Sequence, residues 1–149
     1  MKYAPALLLA TLAACQDYPR DIGGTLDHIR AERVMRVGLV AGEAETRDRA
    51  AITAYLDRVG RAAGARSEIV RGAAEPLLLR LGHGQLDLVI GDMTEDSPWI
   101  ADAMVIEPIA ETMLGKDRIL LSPIARNGEN RWIILLERAV RDGRPKNGA

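Results

Sequence analysis

Two groups of carboxylates stand where an apolar run gives way to a loop. Glu43 and Glu45 follow the run Val34 to Val40, while Asp92, Glu95 and Asp96 follow the run Leu86 to Ile90. If the two runs are neighbouring strands of one parallel sheet, these acids converge at its carboxyl end, and together they suit a cationic or polyhydroxyl ligand. Otherwise they are solvated loop carboxylates. Trp99 closes the second loop, either as a lid or stacking ring over a ligand or as a side chain packed on the sheet edge. Other chemistry finds little support. His28 and His83 are the only histidines, and neither has a Cys, His or acidic partner at metal-ligand spacing, so no metal and no cofactor is expected. Gly82 and Gly84 precede a strand and so make no phosphate loop, and Ser67, Ser97 and Ser122 lack a nucleophile elbow. Binding is expected, not catalysis.

The remaining reactive group is the single cysteine, Cys15, which cannot form an internal disulfide. It ends a stretch with the layout of an export signal: the charged start Met1 to Tyr3, then the mostly apolar run Ala4 to Ala14. That run is too short for a spanning helix, which needs about 20 residues. Leu12, Ala13, Ala14 and Cys15 resemble the lipobox of bacterial lipoproteins, in which a diacylglyceryl group joins the cysteine sulfur and cleavage occurs just before it. The resemblance implies a signal peptide over 1–14, a lipid anchor at Cys15 and a location outside the cytoplasm. The polar stretch 15–24, with Pro19, Gly23 and Gly24, reads as a flexible tether.

Several elements must position the acids. The chain of 149 residues fits one domain, and its net charge of -1 without a basic block argues against nucleic acid. Thr25 is a plausible cap for a short helix to Glu32, and Val34 to Val40 reads as a buried strand ending at Gly42. Ile52, Tyr55, Leu56, Val59 and Ala63 recur at helical spacing and Gly64 stops them, so a helix spans about Asp48 to Ala63. Ser67 to Val70 is a second strand. Glu75 and Pro76 open another helix, and Leu86 to Ile90 is a third strand. This alternation with short connections predicts parallel βαβ units, whose ligands bind at the carboxyl ends of the strands. The expected site loops are therefore Ala41 to Arg47, Gly72 to Ala74 and Gly91 to Trp99. Further on, Met104 to Ile109 reads as an edge strand, Arg118 to Leu121 as a strand ending at Pro123, and Trp132 to Val140 as an amphipathic helix. A polar tail occupies 143–149.

Three stretches carry a resemblance. "TLDHIRAERVMRVGLV" (25–40), "GHGQLDLVIGDMTEDSPW" (82–99) and "NGENRWIILLERAV" (127–140) resemble, in that order, parts of the bacterial extracellular solute-binding proteins of family 3, which serve amino-acid ABC importers. The resemblance implies an α/β fold, one periplasmic-binding-protein-like lobe at 25–142 with a mostly parallel central sheet and helices on both faces. It also implies a ligand site drawn from Glu43, Asp92, Thr94, Glu95 and Trp99, a small polar solute such as an amino acid, and the membrane subunits of an importer as partners. Two features depart from the pattern: the passage from Trp99 to Arg118 is too short to hold a second lobe, and no arginine follows Thr94 to clamp a carboxylate. Two readings stay open. One is a tethered single lobe that presents solute to an importer; the other is an interaction lipoprotein that contacts a membrane or periplasmic protein without capturing solute. A second copy of the chain is a candidate to cover the face that the missing lobe leaves bare.

Overall fold

The computed structural model describes residues 21–93 and 103–145. Its centre is a six-stranded sheet in the order β2-β1-β3-β6-β4, with β5 also paired to β6. The strands are β1 (Val34–Val40), β2 (Arg66–Gly72), β3 (Leu88–Met93), β4 (Ala103–Val105), β5 (Ala110–Leu114) and β6 (Asp117–Arg126). The helices are α1 (Thr25–Glu32), α2 (Glu43–Arg47), α3 (Arg49–Ala63), α4 (Ala74–Gly82) and α5 (Asn130–Gly143).

Alternation along the strands sorts the helices into layers. Met35, Val37 and Leu39 of β1 and Leu88 and Ile90 of β3 turn to one face, where they pack with Leu26 and Ile29 of α1, Ile52, Tyr55 and Val59 of α3, and Trp132 and Leu136 of α5. Val89 and Ile124 turn to the other face and meet Leu77 and Leu81 of α4. Gly38 makes that second layer possible: a Cβ there would lie 2.9 Å from Leu86 and 3.3 Å from Leu77.

β1 pairs in parallel with both β2 and β3, which the crossovers through α3 and α4 permit. β6 pairs antiparallel with β3, β4 and β5, so the sheet is mixed, with its parallel half confined to β2-β1-β3. The reason is chain length. β5 and β6 join through a tight turn at Gly115 and Lys116, and a turn that short links only antiparallel strands.

Five local expectations change. The loop expected at Ala41 to Arg47 contains the short helix α2, which has only Ala44 to bury and so gives no apolar periodicity. β3 begins at Leu88, not Leu86, because Leu86 is apolar for packing beneath α4 and lies ahead of the strand. β6 does not stop at Pro123 but continues to Arg126. The Pro123 carbonyl accepts from the Ile106 N–H on the β4–β5 side, so its missing donor faces the gap where β4 has ended and β5 has not begun. Finally, the last residues of the stretch 15–24, expected as a tether, are folded. Asp21 bridges to Glu129, and the Ile22 N–H donates to the Gly128 carbonyl at 3.1 Å, so residues 21–24 belong to the folded unit. Of the stretch 143–149 expected as a polar tail, Gly143 belongs to α5 and Arg144 pairs with Glu107 at 2.8 Å.

Candidate functional site

The parallel strands give the sheet two chemically different poles. At the carboxyl pole β1 and β2 end level, Val40 aligning with Gly72, while β3, whose Ile90 aligns with Leu39, runs on past them to Met93. Asp92, in the last turn of β3's zigzag, is exposed there, and α2 rises from the end of β1 beside it.

Glu43 opens α2 as an exposed side chain. Glu45 is held by Arg71, whose Nε lies 2.6 Å from its Oε1. Arg47, at the other end of α2, reaches Asp48 at 2.7 Å and Asp92 at 3.2 Å. Its hydrogen bond to Asp48 raises its pKa against the opposing effect of desolvation. The pole therefore carries both signs of charge. The expectation of an acidic cluster alone is corrected: two arginines that the sequence reading passed over neutralise two of its acids. A signal was available, because Glu43 and Arg47 are four apart, the spacing of an exposed one-turn helix. Next to the strand tips, a shallow cleft of about 230 Å³ is lined by Leu39, Glu45, Ile52, Ile69 and Arg71 among others.

Of the expected ligand-binding set, Glu43 and Asp92 come to this pole. Thr94, Glu95 and Trp99, as well as Cys15, lie outside the described residues. Among the described residues no His, Cys, Asp or Glu cluster could hold a metal ion.

The amino pole uses its charges differently. Asp87, just ahead of β3 and 4% exposed, takes three hydrogen bonds from Arg36: the backbone N–H at 2.7 Å, Nε at 3.1 Å and Nη2 at 2.8 Å. The indole N–H of Trp132 donates to the Asp87 carbonyl at 2.8 Å. Glu129 is 1% exposed and accepts from the N–H groups of Gly23 and Thr25 and from Arg126. Burial pushes its carboxyl up, but those donors and the Thr25 hydroxyl together hold it below the usual carboxylate value. Asp21 serves two helix starts at once, accepting from Leu26 of α1 and from Arg131 and Trp132 of α5.

By sequence the chain matches no family model, and no curated protein resembles it significantly. By structure, the arginine-bound form of domain 1 from TmArgBP superposes with a TM-score of 0.64 at 16% identity, over 78% of this chain and 98% of that one. An ancestral cationic amino acid solute-binding protein gives 0.61 at 10% identity, over 79% and 93%. The arginine-bound, truncated ArgBP from T. maritima gives 0.60 at 9% identity, over 79% and 100%. The fold is that of a solute-binding-protein lobe. The expected likeness to these proteins thus holds at the level of architecture, and the chain spans nearly all of the isolated TmArgBP domain. Among the described residues of this lobe, no helix is long and apolar enough to cross a membrane.

Proposed function

We propose that the chain is a membrane-tethered, extracytoplasmic solute-binding lobe whose carboxyl pole takes a small zwitterionic solute, an amino acid or a close relative, for delivery to an ABC importer. One observation carries the reading: groups of both signs, Arg47 with Asp92 and Arg71 with the half-buried Glu45, stand at the strand ends of a solute-binding-protein fold. The neighbours with that fold include arginine-bound forms and a cationic amino acid binding protein.

Binding would proceed by exchange of partners. The guanidinium fork of Arg47 presently grips Asp48 and, more loosely, Asp92. A solute α-carboxylate would displace Asp92 from that fork by matching its geometry, and the freed Asp92, with Glu43 nearby on α2, would meet the α-ammonium. Exposed ion pairs are worth about 0 to 1 kcal/mol, so the exchange costs little. A single lobe supplies about half of the contacts that a closing pair would. A micromolar site near -8.2 kcal/mol then becomes a millimolar one near -4.1, so weak capture is expected.

The tether supports this orientation. Asp21 enters at the amino pole, beside Glu129 and the start of α5, so a lipid on Cys15 would leave the strand tips pointing away from the attachment point. A thermal-shift series with amino acids tests the capture. At ten times a millimolar dissociation constant, mass action gives about 1.4 kcal/mol, a rise of roughly 5 °C in Tm.

One observation favours a second reading, an interaction lipoprotein that captures no solute: the carboxyl-pole acids Glu45 and Asp92 are already paired within the chain. In that case Arg47→Ala would abolish binding to a membrane or periplasmic partner while no amino acid shifts Tm.

A further inference from the structure

A second cleft lies away from the strand tips. It lies on the outer face of the α1, α3 and α5 layer, holds about 720 Å³, and is lined by Arg30, Arg58, Arg61, Arg131 and Arg138 against one acid, Asp142. Leu26, Leu135 and other apolar side chains form its floor. Five cations gather in one cleft of a chain with net charge -1, and the fold engages only two of them. Arg131 is partnered, through Asp27 at 2.9 Å, and Arg58 donates to the Ala139 carbonyl at 2.8 Å. Arg30, Arg61 and Arg138 have no carboxylate partner among the described residues.

The position of the cleft says what meets it. Arg131 belongs to the cleft through its side chain and to the chain's point of entry through its backbone, since its N–H donates to Asp21 at 2.6 Å. Asp21 is six residues beyond Cys15, a distance of about 20 Å at full extension. A lipid at Cys15 therefore confines the cleft to the neighbourhood of the headgroups.

We propose that this arginine cleft docks on the anionic phospholipid headgroups of the membrane that holds the chain. The orientation rests on the reading of Cys15 as a lipid anchor; the affinity of the cleft for anionic lipid does not. Guanidinium forks pair with phosphate bidentately, and each arginine near an anionic surface contributes about fivefold to partitioning. Docking lays the helical layer on the bilayer, so the strand tips open sideways along the membrane, toward a partner embedded in it.

The test uses the full chain with Cys15→Ser, which removes lipid attachment, and Ala62→Cys, which places a fluorophore at the cleft. Vesicles of phosphatidylcholine, with or without phosphatidylglycerol, carry a nitroxide headgroup quencher. Phosphatidylglycerol is expected to bring on quenching, and salt at about 0.5 M to remove it. The triple change Arg30→Gln, Arg61→Gln and Arg138→Gln is expected to lower the phosphatidylglycerol-dependent partition on the order of 100-fold. Its Tm should stay within a few degrees of the parent, since all three side chains are exposed. The same net change made elsewhere, by Arg66→Gln, Arg80→Gln and Lys116→Gln, is expected to leave the quenching in place. Equal quenching with and without phosphatidylglycerol, or equal loss in both triple variants, overturns the proposal. Palmitate incorporation into the unaltered chain, compared with Cys15→Ser, reads the anchor separately, so its failure is distinguishable from failure of the cleft.

Discussion

The two ends of the sheet contain similar side chains in opposite circumstances. At the amino pole Asp87 and Glu129 are 4% and 1% exposed, and each is surrounded by donors from the backbone and from an arginine. At the carboxyl pole Asp92 and Arg47 keep side-chain exposures of 36% and 28% and meet at 3.2 Å. Burial makes the difference. A buried carboxylate must have its partners permanently, because leaving it without them costs several kcal/mol, whereas an exposed pair can open at almost no cost. The first arrangement joins α1, β3 and α5 into one body. The second leaves charges available to a ligand.

This contrast predicts a steep gradient in mutational cost. Trp132→Ala, which empties a fully buried site and frees the Asp87 carbonyl, should lower unfolding free energy by about 4 kcal/mol in urea titration. Glu129→Gln should cost about 3 kcal/mol at neutral pH, because Arg126 and two helix-start N–H groups lose a charged acceptor. The acid range sharpens this. Glu129 has its folded-state pKa lowered, so its contribution is complete above the unfolded carboxylate value near 4.3 and disappears as pH falls through the folded value. The gap between the parent and Glu129→Gln should accordingly narrow below about pH 4.3, and a gap independent of pH would show that Glu129 is not an ionised anchor. Asp21→Ala should cost about 1 to 2 kcal/mol by uncapping α1 and α5 together. At the other pole, Arg47→Ala should change stability by less than about 0.5 kcal/mol. A cost as large as that of Asp21→Ala would mean that Arg47 is structural and would erase the contrast.

Much of the architecture could be read from sequence because it rests on local repetition. Ile52, Tyr55, Leu56, Val59 and Ala63 define the buried side of α3, and Trp132, Leu136, Ala139 and Val140 that of α5. The same logic misled where an apolar residue packs outside regular structure, as at Leu86, and where a helix has little apolar face, as at α2. Charge pairing was less legible still. Arg36 finds Asp87 across 51 positions and Arg47 finds Asp92 across 45, distances set by the crossovers and not by spacing. An aspartate inside an apolar run did hold a clue, since such a residue is rarely buried without a cation. For the site, the sequence located the strand ends and two of their acids, Glu43 and Asp92, but not the arginines that give the pole its mixed sign.

The most direct test is a calorimetric titration of the full chain with free amino acids, arginine included, alongside Arg47→Ala and Asp92→Asn. Millimolar binding that both substitutions weaken at least tenfold, with Tm unchanged in the absence of ligand, is the predicted result. Undiminished binding in both variants, or no heat and no Tm shift at tens of millimolar for any amino acid, would contradict solute capture at the carboxyl pole.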